Sequence, residues 1–244
     1  MKNIKLTLEF DGTAYVGWQK QKNGIAVQQI VSEAVSKLTG EKIEVIGCSR
    51  TDAGVHAKQY VCNFITESEI PAEKIKLALN STFPEDIIAL KSEEVQSDFH
   101  ARYSAIGKRY VYTICNREVP LTIGRQYVYF VKKKLDVKKM ELAASYLIGK
   151  HDFSAFKNSN SKVISNVRTI FSIDIVSKAS YICISVAGDG FLYNMVRVIA
   201  GTLVDVGLDK IEPVEVSSIL KSMDRKRAGN TAPASGLCLE EVYY

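Results

Sequence analysis

The residues with the clearest potential for chemistry lie in RTDAGVHA, at positions 50–57. Arg50 and Asp52 are two residues apart, so at the end of a strand both side chains would point to the same side. A nearby guanidinium favours the ionised form of a carboxylate, and an ionised, oriented aspartate is a candidate nucleophile or base. Gly54 permits a sharp turn beside it. The alternative is a turn aspartate with a surface ion pair, and spacing alone favours that alternative.

Two further stretches carry candidate binding residues. In DFHARYSAIGKRYVYTI (98–114) aromatic and cationic side chains alternate, a composition that suits stacked bases beside phosphates. Tyr110 is its candidate stacking residue, and the alternative is a tyrosine packed in the core. Arg197 lies in an otherwise apolar segment and must meet a carboxylate, a phosphate or solvent, because an unpaired buried arginine is very costly. It is either aimed at the Asp52 cleft or snorkels to the surface.

The loop EFDGTAYVGWQKQ (9–21) contains the only tryptophan, Trp18. It is either a binding loop or a structured loop that burial of Trp18 holds in place. The GDG at 188–190 matches neither the P-loop nor the dinucleotide-binding fingerprint, so it indicates no phosphate site.

Hydrophobic periodicity predicts the elements that must position these residues. In the first half the order is β-α-β-β-α-β, the split βαβ arrangement of ferredoxin-like folds. The predicted strands are 2–10, 42–48, 58–66 and 87–95, and the predicted helices are 26–39 and 71–79. In the second half, strands are predicted at 107–115, 125–131, 167–176, 180–187 and 237–243, and helices at 136–148, 191–206 and 213–223.

We therefore expect an α+β fold made of two ferredoxin-like halves, residues 1–105 and 106–244. The halves are expected to share a mostly antiparallel sheet, with the active-site cleft between them. The first half would carry the Asp52 loop, and the second would carry the Tyr110 strand and the Arg197 helix.

Composition narrows the class of protein. The chain has 244 residues and a net charge of +5, a mild surplus that is compatible with a polyanionic partner. Five scattered cysteines without a CxxC and three dispersed histidines argue against a zinc site or a disulfide framework. No signal peptide or membrane span is expected, so the protein is expected to be cytoplasmic. The basic run at 132–134 is interpreted as a solvated face.

Taken together, the motifs resemble the tRNA pseudouridine synthase A family, from residue 4 to residue 244. Seven stretches in the family's order carry this resemblance: FDGT-Y-GWQ (10–19), RTDAGVHA (50–57), FHARYSA (99–105), KRYVY (108–112), GKHDFSAF (149–156), FLYNMVR (191–197) and APASGL (232–237).

The resemblance implies an isomerase, without cofactor or metal, that converts uridine to pseudouridine at positions 38, 39 and 40 of the tRNA anticodon stem-loop. It implies that Asp52 is the catalytic aspartate, that Tyr110 stacks on the target uracil, and that Arg50 and Arg197 flank the aspartate. It also implies a homodimer and a tRNA-binding stretch formed by Phe99, His100, Ala101, Arg102 and Tyr103.

Three positions depart from the family pattern, namely Ser49, Cys238 and the short loop at 157–166. Two other functions compete with the isomerase. One is a non-catalytic tRNA-binding or chaperone protein of the same fold. The other is a small-molecule enzyme or sensor built on ferredoxin-like halves, which would not need the basic and aromatic stretch at 98–114.

Overall fold

The computed structural model describes residues 1–158 and 164–244, which form two compact units. Residues 159–163, in the loop predicted to depart from the family, lie outside the described part. The strands of the described residues are β1 (Lys2–Phe10), β2 (Ile46–Gly47), β3 (His56–Thr66), β4 (Ile87–Val95), β5 (Gly107–Asn116), β6 (Tyr129–Val131), β7 (Gly149–Asp152), β8 (Val167–Lys178), β9 (Tyr181–Gly188) and β10 (Leu237–Tyr243). The α-helices are α1 (Val27–Thr39), α2 (Ala72–Asn80), α3 (Val137–Ser145), α4 (Met195–Gly207) and α5 (Glu215–Ser222).

The first unit comprises residues 1–106 and 238–244. Its strand β1 lies between β3 and β4 and is antiparallel to both, and β2 pairs with β3. Alternation along β1 buries Ile4, Leu6 and Leu8, as the period-two pattern predicted. Helix α2 packs on β4 and contacts α1. The predicted β-α-β-β-α-β order is confirmed.

The last strand belongs to the first unit, whereas the sequence assigned it to the second half. β10 pairs in parallel with β3, with Cys238 opposite His56 and Leu239 opposite Ala57. The residues that pair are more than 180 positions apart in the chain, and no local pattern in the sequence indicates such a pairing.

The second unit comprises residues 107–237. Strands β5, β9, β8 and β7 form successive antiparallel pairs, and β6 runs parallel to β5. Helices α3 and α4 pack on each other, and they also contact β8 and β5, respectively. Both units mix helices with sheet, so the α+β class is confirmed.

Strand β7 was not predicted, the helix predicted at 136–148 ends at Ser145, and three other predicted elements also differ from those observed. Residues 42–45 are not a strand, because the Ser36 and Ser32 hydroxyls accept hydrogen bonds from the main-chain N–H groups of Ile43 and Val45. The predicted strand at 125–131 is a 3₁₀ turn (Arg125–Tyr127) followed by β6. The helix predicted from 191 begins at Met195, because Asn194 adopts a left-handed conformation with φ 61°.

Three of the five cysteines are small core residues, as predicted. Cys48, Cys62 and Cys115 are fully buried, whereas Cys183 and Cys238 are partly exposed. Burial raises the pKa of Cys62, and it raises the pKa of Cys238 to about 12. The Cys238 thiol is therefore neutral at ordinary pH and fills space in β10.

Among the described residues, no helix is long and apolar enough to cross a membrane.

Candidate active site

Asp52 lies in the loop that connects β2 to β3, directly before the turn at residues 53–54. The Val55 N–H donates to the main-chain carbonyl of Asp52 (N···O 3.2 Å), and Gly54 has φ +77°. The main chain of Asp52 therefore closes the turn, and its half-buried carboxylate is not needed for this.

The structure does not place Arg50 and Asp52 on a strand, so strand alternation does not bring their side chains to one side as the sequence predicted. The Arg50 side chain is exposed. Within residues 1–158 and 164–244, its guanidinium forms no ion pair with a carboxylate. Arg50 is therefore presented to solvent, where it is able to contact a phosphate.

Hydrogen bonds fix the main chain on both sides of Asp52. The Tyr60 hydroxyl donates to the Ser49 carbonyl. The main-chain N–H of Trp18 donates to the Thr51 carbonyl (N···O 3.3 Å), and the main-chain N–H of Gly54 donates to the Tyr15 carbonyl (N···O 3.3 Å). Because these partners come from a buried strand and from the 9–21 loop, the catalytic candidate sits on a braced loop.

Two glycines of the 9–21 loop make this bracing possible. A Cβ at Gly12 would overlap the Val55 carbonyl, and a Cβ at Gly17 would overlap the Thr51 carbonyl and lie 3.0 Å from the Asp52 carbonyl carbon. Gly17 also has φ +100°, which L side chains rarely adopt. The glycines of FDGT-Y-GWQ therefore let one loop pack directly on the backbone of the other, a role that sequence reasoning missed.

Trp18 is buried, and its ring stacks on Tyr60 at a centroid distance of 4.0 Å. Of the two alternatives for this loop, the contact favours a structured loop that burial of Trp18 holds in place. Burial, with a hydrogen bond to Asp86 (O···O 2.5 Å) as the second cause, raises the pKa of Tyr15, so its hydroxyl stays protonated.

His56 serves the same loop. Its Nδ1 lies 3.0 Å from the Gly12 nitrogen and 3.0 Å from Asp11 Oδ1. In one tautomer Nδ1 accepts a hydrogen bond from the Gly12 N–H, and in the other it donates to the Asp11 carboxylate. Either bond joins β3 to the 9–21 loop. The histidine therefore has a structuring role.

The predicted tRNA-binding stretch is a turn anchored from inside the first unit. The Asn3 side chain donates to the Phe99 carbonyl (2.8 Å), and the Ala101 N–H donates to Asn63 Oδ1 (2.9 Å). Ala101 is fully buried and its carbonyl accepts from the Tyr244 hydroxyl (2.7 Å). These contacts make Phe99 and Ala101 anchors of the turn.

The exposed residues of the turn are Arg102 and Tyr103, the latter 76% exposed. His100 Nδ1 accepts from the main-chain N–H groups of both residues, at 3.1 and 3.2 Å. The guanidinium of Arg102 lies 5.6 Å from the centroid of the Tyr103 ring. A cation beside an exposed ring is suited to a phosphate and a neighbouring base.

Tyr110 lies in β5 and is 7% exposed. Its ring meets Phe191 edge to face, with centroids 5.3 Å apart and planes at 88°. Tyr112, on the same face of the strand, is fully buried, and its hydroxyl donates to the Pro233 carbonyl (2.7 Å). Both tyrosines of this face are therefore buried, Tyr112 completely and Tyr110 almost completely.

Arg197 is held by its own unit. Its Nε donates to the Ala232 carbonyl (2.8 Å), and its Nη1 donates to Asn194 Oδ1 (2.7 Å). The Ala232 N–H donates back to the Arg197 carbonyl (3.0 Å). A half-buried guanidinium with two fixed bonds does not snorkel to the surface.

The candidate residues are divided between the units. Asp52, Arg50 and the 99–103 turn belong to the first, and Tyr110 and Arg197 belong to the second. In the described part of the chain, no three His, Cys, Asp or Glu side chains are grouped as a metal ion would require.

Comparison with known proteins decides the family. The family model described as tRNA pseudouridine synthase matches residues 7–104 and 143–244. The chain belongs to the tRNA pseudouridine synthase family. It is therefore an isomerase that converts uridine to pseudouridine in tRNA, and the small-molecule and non-catalytic alternatives are set aside.

Curated relatives cover the whole chain, including Tyr110, which lies outside the residues matched by the family model. The tRNA pseudouridine synthase A of Clostridium acetobutylicum is 56% identical, the tRNA pseudouridine synthase A 2 of Clostridium perfringens 54%, and the tRNA pseudouridine synthase A of Clostridium kluyveri 53%. Each alignment spans 244 residues and 100% of both proteins.

Proposed function

We propose that this enzyme isomerises uridines 38, 39 and 40 in the anticodon stem-loop of tRNA, with Asp52 as the attacking carboxylate. The observation that carries the proposal is the braced loop. Hydrogen bonds with the Tyr60 hydroxyl and with the main-chain groups of Trp18 and Tyr15 fix the backbone around Asp52, and none of these bonds uses its carboxylate. A carboxylate on a fixed backbone is held ready for reaction, because a catalytic group already in the reactive geometry lowers the entropic part of the activation barrier.

The reaction is an isomerisation that balances within the nucleotide. The bond from N1 of uracil to C1′ of the ribose breaks, the base turns, and a bond from C5 to C1′ forms. C5 loses its proton and N1 gains one. The Asp52 carboxylate serves this exchange by attacking C1′, by assisting glycal formation, or by adding to C6 of the uracil, and each route requires the ionised form.

The other residues are proposed to bind the nucleotide. The target base must leave its stack, which costs a few kcal/mol. Stacking of the displaced uracil on Tyr110 is proposed to offset about 1–3 kcal/mol of that cost. Arg50 and Arg197 are proposed to contact the phosphates of the tRNA backbone or the Asp52 carboxylate. The 99–103 turn is proposed to contact the tRNA through Arg102 and Tyr103. The enzyme is proposed to act in the cytoplasm and to form a homodimer. Sedimentation equilibrium of the purified chain tests the homodimer.

The test of Asp52 is the Asp52→Ala variant on unmodified tRNA. Pseudouridine is derivatised with carbodiimide and mapped by reverse-transcription stops. Wild type is expected to give stops at positions 38–40, and the variant none. The matched control is Asp174→Ala, which removes an exposed carboxylate from β8 and is expected to keep full activity.

Asp52→Ala is also expected to fold normally and to bind tRNA, since the carboxylate does not close its turn. Stops in the variant at wild-type level would contradict the role of Asp52. So would a loss of stability of about 3–5 kcal/mol, the range for breaking a buried ion pair, because it would make the residue structural. Stops elsewhere in the tRNA would refute the anticodon assignment alone.

A further inference from the structure

The loop between β6 and α3 presents three successive exposed lysines, residues 132–134, between the buried side chains of Val131 and Leu135. The sequence pattern predicted a solvated face here. The structure adds two observations that distinguish these lysines from an ordinary charge run, namely a clamp on the loop and a cavity beside it.

Asn116, the last residue of β5, forms the clamp. Its Nδ2 donates to the carbonyls of Val131 (2.8 Å) and Lys133 (2.7 Å), and its Oδ1 accepts from the Leu135 N–H (3.0 Å). One side chain therefore fixes the main chain of the loop at three points. A ligand of these lysines would meet a backbone that is already ordered, so little backbone entropy is lost on binding.

A cavity of about 470 Å³ lies beside the clamped loop. Arg117, Lys132 and Lys134 line it and Lys133 does not, as expected for side chains two residues apart on an extended loop. Glu118 is the one carboxylate residue in the lining. In the described part of the chain, neither Lys132 nor Lys134 forms an ion pair.

We infer that this cavity, the basic pocket, binds a phosphodiester of the tRNA backbone. Three cations held around one cavity repel one another, and an anion relieves that repulsion. The substrate of this family is a polyanion, and each phosphate contact by a lysine releases condensed counterions. The pocket contains no group required for the isomerisation, so it contributes affinity and not chemistry. The inference rests on tRNA as the substrate.

The test compares alanine variants of three neighbouring lysines. Lys132→Ala and Lys134→Ala each remove a pocket cation, and Lys133→Ala removes the same charge from the same loop outside the pocket. The dissociation constant of unmodified tRNA is measured by filter binding between about 50 and 200 mM salt. For the two pocket variants, the plot of log association constant against log salt concentration is expected to become less steep, with the magnitude of its slope lower by about 0.7–0.9. Lys133→Ala is expected to leave the slope unchanged.

Glu118→Gln supplies the opposite perturbation, since it removes the carboxylate and is expected to tighten tRNA binding. The rate at saturating tRNA is expected to be the same in all four variants. If the three alanine variants weaken binding equally, or if Glu118→Gln leaves affinity unchanged, the lysines form a solvated face and the inference is overturned. An inactive wild type that still binds tRNA would refute the proposed function and leave this result intact.

Discussion

Replacing Asn194 with glycine tests how Arg197 is oriented. Asn194 has φ 61°, a conformation that glycine adopts without strain, so the backbone at the start of α4 is preserved. The Asn194 side chain does not cap the helix, and it accepts the bond from Arg197 Nη1 at 2.7 Å instead. Asn194→Gly therefore removes one hydrogen bond and leaves the Ala232 carbonyl as a partner of the guanidinium.

The size of the effect follows from that bond. A hydrogen bond to a charged group contributes about 1.5–3 kcal/mol. If that energy holds Arg197 in the reactive geometry, its loss lowers the rate by about 10- to 150-fold. Asn194→Asp keeps an acceptor at the same place and tolerates the left-handed backbone, so it is expected to retain most of the rate. Because the same bond also contributes to folding, Asn194→Gly is expected to lower the free energy of unfolding, with part of the loss offset by relief of the left-handed strain at residue 194. Asn194→Asp is expected to stay near wild type in stability.

The assay is single-turnover pseudouridine formation at saturating enzyme, with tRNA affinity measured separately. A double-mutant cycle with Arg197→Lys isolates the coupling, because lysine lacks the planar fork that Asn194 orients. The rate loss of Asn194→Gly is expected in the wild-type background and absent in the Arg197→Lys background. Equal losses in both backgrounds would place the action of Asn194 elsewhere. A full rate for Asn194→Gly alone would show that Arg197 is oriented without the Asn194 side chain.

Two other substitutions probe the supports of the site. Tyr110→Phe keeps the ring that meets Phe191 and is expected to retain most activity in the carbodiimide assay, whereas a loss as complete as that of Asp52→Ala would rule out stacking as its main role. Gly17→Ala places a Cβ against the Thr51 carbonyl at φ +100° and is expected to lower both melting temperature and rate. Its control is Gly40→Ala, which has φ +74° but open space around its Cβ and so carries only backbone strain, about 1–3 kcal/mol. Equal losses in the two glycine variants would show that contact with the Asp52 loop is unimportant.

Local periodicity predicted the elements whose side chains face a core. The strand at 87–95 and the last strand at 237–243 have the predicted bounds, because apolar alternation marks a half-buried strand directly. The same reasoning failed where a single residue changes the backbone. Asn194 interrupts an apolar helical pattern with a left-handed conformation, and composition does not distinguish that asparagine from a helical one.

Local sequence patterns were also insufficient to predict the arrangement of the candidate active site. Spacing favoured Asp52 as a turn residue, and it does precede a turn, but the turn uses its carbonyl. Only the ordered set of motifs favoured a catalytic role for Asp52, and that role stays a prediction. Likewise, the glycines at 12 and 17 look like ordinary turn glycines in the sequence. They are required because the backbone of residues 51–55, some forty positions away, lies against them. A motif that is scattered along the chain thus reflects one packed object, the pair of interlocked loops that holds the backbone of Asp52 in place.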